Sequence, residues 1–129
     1  IEGDHIEPAT SPVITAQCLR VACSDGHMAA AFVKFKNKPD KETMIERWKN
    51  FRGRAQELNL PSAPKQFLTY FEEDNRPQTR LDRDLEGGRL REDALYDYKF
   101  VSLSHNTLRG AAGGAVLMAE LLCAEGYMD

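Results

Sequence analysis

The C-terminal stretch LRGAAGGAVLMAELLCAEG constrains the fold more than any other part of this chain. Its residues Leu108, Ala111, Ala112, Ala115, Val116, Ala119, Leu122 and Cys123 recur at the three- and four-residue spacing of one helical face. Gly126 stands where such a helix would end in a left-handed residue. The spacing predicts a helix over 105–126, with Ser104 or Asn106 able to cap its start. Only 129 residues are present, 42% of them apolar. That is one domain's worth of chain, able to bury about two thirds of its unfolded surface, and too short for a large two-domain enzyme.

The rest of the chain supplies strands and one more helix. Residues 13–24 (VITAQCLRVACS) and 28–36 (MAAAFVKFK) read as two strands about the turn residues Ser24, Asp25 and Gly26. Asp40 is placed to cap a helix over 41–58, whose apolar positions are Met44, Ile45, Trp48, Phe51, Ala55 and Leu58. Gly53 weakens its second half by roughly 1 kcal/mol relative to alanine, and Pro61 lies beyond its end. Residues 66–72 and 95–103 read as strands. The charged segment between them reads as too polar for a core. The order ββαββα predicts an α+β domain with a mixed or antiparallel sheet of about four strands and two main helices. Residues 1–12 read as an extended arm or a remnant of upstream sequence.

Charge and cysteine content exclude several function classes. Seventeen Lys and Arg against 20 Asp and Glu argue against a nucleic-acid binder. No apolar run approaches the roughly 18 residues of a membrane span, and the first residues lack the layout of a signal peptide. Cys18, Cys23 and Cys123 have no CxxC spacing, so neither a disulfide framework nor a metal site is expected. All three read as core residues in a cytoplasmic protein. His5 and His105 read as surface or capping residues.

Two places carry residues suited to chemistry. In Asp25-Gly26-His27 the glycine lets the backbone present a histidine that exchanges protons near neutral pH, although the same three residues also suit an ordinary polar turn. Arg20 lies among uncharged strand residues, where a guanidinium needs an anion: a substrate carboxylate or a structural ion-pair partner. In SLSHNTLRGAAGG, a helix start with Gly110, Gly113 and Gly114 suits either a bound amide, carboxylate or phosphate, or close packing of a neighbouring element. No complete nucleotide-phosphate motif is present.

Six ordered blocks carry a resemblance: AQCLRVACSDGH, FVKFKNKP, LPSAPKQ, RPQTRLDRD, GRLRED and KFVSLSHNTLRGAAGGAVLMAELL. Over about residues 15–127 the chain resembles the C-terminal half of the aspartate-semialdehyde dehydrogenases of fungi and archaea. The resemblance implies that residues 13–129 belong to a catalytic and dimerisation domain, with the last helix facing a cofactor domain. It implies an NADP-dependent oxidoreductase that reduces 4-phospho-L-aspartate to L-aspartate 4-semialdehyde, in the synthesis of lysine, threonine, methionine and isoleucine. A thiolate attacks the acyl phosphate and hydride reduces the thioester. By the same resemblance His27 is the general acid/base, Arg20 binds the substrate α-carboxylate, and Asn106 and Gly110 meet the cofactor. A homo-oligomer is implied too.

Departures from the pattern are equally informative. The nucleophile's SNCS-like motif and the glycine-rich nucleotide-binding domain are absent from these 129 residues, and so is a short glycine-plus-valine strand between LDRDLEGG and GRLRED. The expectation is a truncated, inactive fragment of such an enzyme that has lost one strand. The alternatives are a non-catalytic dimerisation domain and a related acyl reductase such as a malonyl-CoA reductase.

Overall fold

Tyr98–His105 (YKFVSLSH) is the strand around which the domain is built. In the computed structural model, which describes residues 5–19, 22, 25–71 and 85–128, with backbone alone for 85–87, it lies inside a four-stranded sheet. Along the chain the strands are β1 (Gly26–Val33), β2 (Leu68–Phe71), β3 (Leu85–Glu92) and β4 (Tyr98–His105), in spatial order β1-β4-β3-β2. β4 runs antiparallel to β1 and β3, while β2 is parallel to β3, so the sheet is mixed. The helices are α1 (Lys41–Lys49), α2 (Arg54–Glu57) and α3 (Ala112–Ala124).

The α+β class and the four strands agree with expectation; the identity of one strand does not. The described residues of 13–24 are extended but belong to no strand, and the fourth strand is β3, drawn from the charged segment. β3 crosses the junction at which a strand was expected to be lost. It fits because Gly88 precedes a bulge: Gly88 pairs with Val101 and Arg91 with Lys99, so β3 carries one extra residue. Arg89, at φ 59°, takes the left-handed conformation that turns the chain there. Leu90 then enters the core at 3% exposure.

The predicted helix over 41–58 is two helices. Asp40 caps α1 as expected, with the Thr43 N–H donating to its Oδ1 at 2.6 Å. The chain leaves α1 at Asn50 and re-enters a helix at Gly53, whose N–H donates to Gln56 Oε1 (2.9 Å). The break lets the Phe51 ring meet that of Phe67 at a tilt of 59°, with centroids 5.4 Å apart. α1 lies over the sheet, where Met44, Leu90 and Tyr98 are buried and Val33, Ile45, Trp48, Tyr70 and Phe100 pack around them. Trp48 bridges helix and sheet, with its ring 5.7 Å from Tyr70 and 4.9 Å from Phe100.

The turn between β3 and β4 is organised by Asp93. Its Oδ1 accepts from the N–H groups of Leu95 (2.9 Å) and Tyr96 (3.1 Å), and its Oδ2 pairs with Lys99 Nζ at 2.8 Å. These contacts, the Lys99 ammonium foremost, hold the Asp93 carboxyl down at about 2, below its ordinary 3.8. A carboxyl whose folded value is depressed adds stability above its unfolded value and loses it as pH falls through the folded one. The melting-temperature gap between the native chain and Asp93→Asn is therefore expected to narrow as pH falls from about 4 to about 2. A gap unchanged across that window would contradict this account of the turn.

α3 begins later than predicted, at Ala112, because residues 106–111 form a separate turn. Its N-cap, Ala111, offers no side-chain bond; Gly126, at φ 78°, ends it as expected. Two polar clasps hold it. Ser62 donates to Glu120 through N–H (2.9 Å) and Oγ (2.7 Å), and Arg54 Nε donates to Glu125 at 2.6 Å. No residue of α3 is buried, and Val116 and Met118 are more than half exposed. The apolar residues of α3 are thus at most partly covered among the described residues. Cys18 and Cys123, expected in the core, are exposed, since neither the described residues of 13–24 nor α3 is packed under other elements. Cys23 lies outside the described residues.

Side chains alternate along β1, and Val33 packs on the core, so Met28, Ala30 and Phe32 occupy the other face of the sheet. Met28 and Phe32 are 60% and 54% exposed there.

Candidate functional site

The start of β1 and the end of β4 meet at one corner of the sheet. Gly26 pairs with His105 and His27 with Ser104, and the Asn106 N–H donates to the Asp25 carbonyl at 2.8 Å. This register brings two side chains 79 positions apart in sequence into contact: His27 Nδ1 and Asn106 Oδ1 are hydrogen-bonded. A carboxamide oxygen only accepts, so the tautomer that suits this contact is the one with the proton on His27 Nδ1. The Nε2 lone pair is then left to act as a base, on a side chain exposed to solvent.

The turn after β4 is closed around His105. Its ring is buried, at 6% exposure, and its Nδ1 accepts from the N–H groups of Thr107 (3.1 Å) and Leu108 (3.2 Å). Its carbonyl accepts from the N–H groups of Arg109 and Gly110, both at 3.2 Å. A Cβ on Gly110 would sit 2.7 Å from the Asn106 carbonyl oxygen, and one on Gly113 or Gly114 would run into the Leu108 or Arg109 carbonyl. These glycines let the chain fold back closely on its own preceding turn.

Of the four candidate residues, the fold brings His27 and Asn106 into contact and sets Gly110 in the same turn as Asn106. Arg20 lies outside the described residues. His105 was legible as a capping residue, but its burial was not. The signal for that is its position at the inner end of a strand, opposite buried Gly26. Among the described residues no three His, Cys, Asp or Glu side chains converge as metal ligands would, and no helix is long and apolar enough to cross a membrane.

Comparison with known proteins bears on the same region. Residues 2–109 match the family described as semialdehyde dehydrogenase, dimerisation domain. The chain is 41% identical over 126 residues to the aspartate-semialdehyde dehydrogenase of Aspergillus fumigatus, covering 89% of this chain and 35% of that protein. It is 46% identical over 119 residues to that of Saccharomyces cerevisiae, covering 86% and 33%. It is also 39% identical over 132 residues to the malonyl CoA reductase (NADP) of Metallosphaera sedula, covering 95% and 37%. The crystal structure of aspartate semialdehyde dehydrogenase with NADP from Candida albicans superposes with a TM-score of 0.71 at 38% identity, over 81% of this chain and 31% of that one. The chain spans about a third of the length of the curated relatives it matches.

Proposed function

Because the chain belongs to the semialdehyde dehydrogenase dimerisation-domain family, we propose that it is the acid/base-carrying part of an NADP-dependent aspartate-semialdehyde dehydrogenase. The reaction is reduction of 4-phospho-L-aspartate to L-aspartate 4-semialdehyde, which feeds lysine, threonine, methionine and isoleucine synthesis. The observation that carries this reading is the His27–Asn106 pair: an exposed imidazole whose Nδ1 is hydrogen-bonded to Asn106 Oδ1, beside a tightly closed turn. His27 takes the proton of the attacking thiol through Nε2, phosphate leaves as the thioester forms, and the imidazolium protonates the oxygen of the reduced carbon, taking that proton back as the aldehyde carbonyl re-forms and the thiolate is expelled. Arg20 binds the substrate α-carboxylate. The thiol itself comes from sequence outside this chain.

The corner fits the nicotinamide end of a cofactor. Asn106 commits Oδ1 to His27, which leaves its Nδ2 group to donate to a carboxamide oxygen, and Gly110 is exposed next to it without a side chain to obstruct a flat ring. NADPH, when bound, supplies the hydride. In the longer protein α3 faces the cofactor domain, which would cover the apolar residues it leaves exposed. With its nucleophile and nucleotide fold elsewhere, the chain alone is inactive.

The substrate is settled by offering 4-phospho-L-aspartate and malonyl-CoA, each with NADPH, to the longer protein that contains this chain. Turnover of the aspartyl phosphate is expected. Turnover of malonyl-CoA alone would move the assignment to the acyl-CoA reductases, to which the chain is also similar.

Self-association is part of the proposal, through the exposed β1 face of Met28, Ala30 and Phe32. Phe32→Asp is expected to raise the dissociation constant of the homo-oligomer at least about tenfold, from the 1.5–3 kcal/mol that burying a phenylalanine contributes. Sedimentation of both forms checks it. A native chain that stays monomeric at high concentration would contradict it.

A further inference from the structure

We infer that His105 is a positioning residue, which acts through Asn106 to select the tautomer of His27. The inference rests on His27 as the acid/base group and adds how that group is set. His105 is the one buried histidine among the described residues, and the proposed mechanism makes no direct use of it. Its Nδ1 accepts from Thr107 and Leu108, two and three residues ahead, as a side-chain oxygen does at a helix N-cap. An atom that accepts two N–H groups carries no proton, so His105 is held as the Nε2–H form.

That clamp fixes the backbone on both sides of Asn106. On one side the Asn106 N–H is anchored to the Asp25 carbonyl at 2.8 Å; on the other, Thr107 and Leu108 are anchored to the His105 ring. With both flanks held, the Asn106 side chain is set where its Oδ1 meets His27 Nδ1. In water a free imidazole exchanges between its two neutral tautomers, and the bond at one nitrogen decides which predominates. The relay His105 to Asn106 to His27 therefore keeps Nε2 free as the base. It also explains why a residue with no contact to any reacting atom is buried at this corner.

The test reads tautomers, so it is independent of turnover. Ring nitrogens of His27 and His105 are observed by long-range proton–nitrogen NMR on the 129-residue chain at about pH 8, where free imidazole is neutral. In the native chain His27 is expected mainly as Nδ1–H and His105 as Nε2–H. Asn106→Leu, which keeps the volume and removes the acceptor, is expected to lower the His27 Nδ1–H to Nε2–H ratio by about 2- to 12-fold, the range set by one net hydrogen bond. Asn106→Asp, which keeps an acceptor, should preserve the ratio. His105→Ala should lower the ratio like Asn106→Leu, and His105→Asn, whose oxygen accepts the same two N–H groups, should restore it.

A native chain with His27 mainly as Nε2–H would overturn the inference before any variant is made. An unchanged ratio in Asn106→Leu or His105→Ala would overturn it too, as would equal loss in His105→Ala and His105→Asn. Failure of the dehydrogenase reading would appear instead in the substrate assay, with the tautomers unaffected.

Discussion

Exchange of His27 for alanine is expected to lower turnover of the longer protein by about 10²- to 10⁴-fold, the range that a positioned general acid/base contributes. In the proposed mechanism the one imidazole makes the proton transfers: it takes the thiol proton before attack and protonates the oxygen that develops negative charge. Because His27 Nδ1 meets Asn106, Nε2 is the atom to which the proposal assigns both transfers, and no other described histidine is placed to replace it. His105 is buried with Nδ1 occupied, and His5 lies on the exposed arm. The loss should fall on kcat, with KM little changed, since binding of the carboxylate is assigned to Arg20. Steady-state rates of His27→Ala and of the exposed-loop variant Lys65→Ala check this. A fall of less than tenfold in His27→Ala would remove the histidine from the chemistry.

Tyr98→Ala is expected to cost about 3–5 kcal/mol, a large share of the roughly 5–15 kcal/mol that holds a domain together. Tyr98 is 3% exposed, and it ties the sheet to the segment before α1 in three ways. Its ring packs in the core with Met44 and Leu90, its edge meets Phe35 at 6.5 Å, and its hydroxyl donates to the Pro39 carbonyl at 2.8 Å. Few other residues are as deeply buried, so little remains to compensate for the cavity. Tyr98→Phe isolates the hydroxyl and should cost about 1 kcal/mol. Urea titrations of both variants measure the two costs. Near-equal losses would show that the hydroxyl, and not the ring, carries the stability at this position.

The parts of the fold legible in the sequence are those set by local chemistry. Asp40 as a cap, the α1 positions Met44, Ile45 and Trp48, and Gly126 as a helix end each follow from a neighbour within one helical turn. β3 was not legible because LEGGRLRE has neither alternation nor β-branched residues. It is a strand because β4 offers it an open edge and because its bulge turns Leu90 inward, and both causes are tertiary. The strand expected at 13–24 failed for the complementary reason: VITAQCLRVACS has strand composition, but its described residues find no partner in this sheet. α3 was predicted from its periodicity, which reports what a helix can bury and not whether a partner is present.

The same division runs through the site. His27 and Asn106 were both singled out from sequence, but their contact depends on the β1–β4 register, in which His27 stands opposite Ser104 and Asn106 follows two residues on. No spacing rule connects positions 27 and 106. The glycines of the 106–114 turn read as permissive of a ligand or of close packing by a neighbouring element, and what stands against them is the turn's own carbonyls at Asn106, Leu108 and Arg109. His105 hid because a polar residue at a strand end ordinarily meets water; here its ring is enclosed and its Nδ1 is used by the turn.

The central claim is that this chain holds the proton-transfer part of a reductase site and takes its nucleophile and nucleotide fold from elsewhere. It is tested most directly by mixing the 129-residue chain with 4-phospho-L-aspartate and NADPH, beside the longer protein, and following the nicotinamide absorbance band. The account predicts no turnover by the chain alone and turnover by the longer protein that falls sharply in His27→Ala. Turnover by the chain alone, lost in His27→Ala, would contradict it.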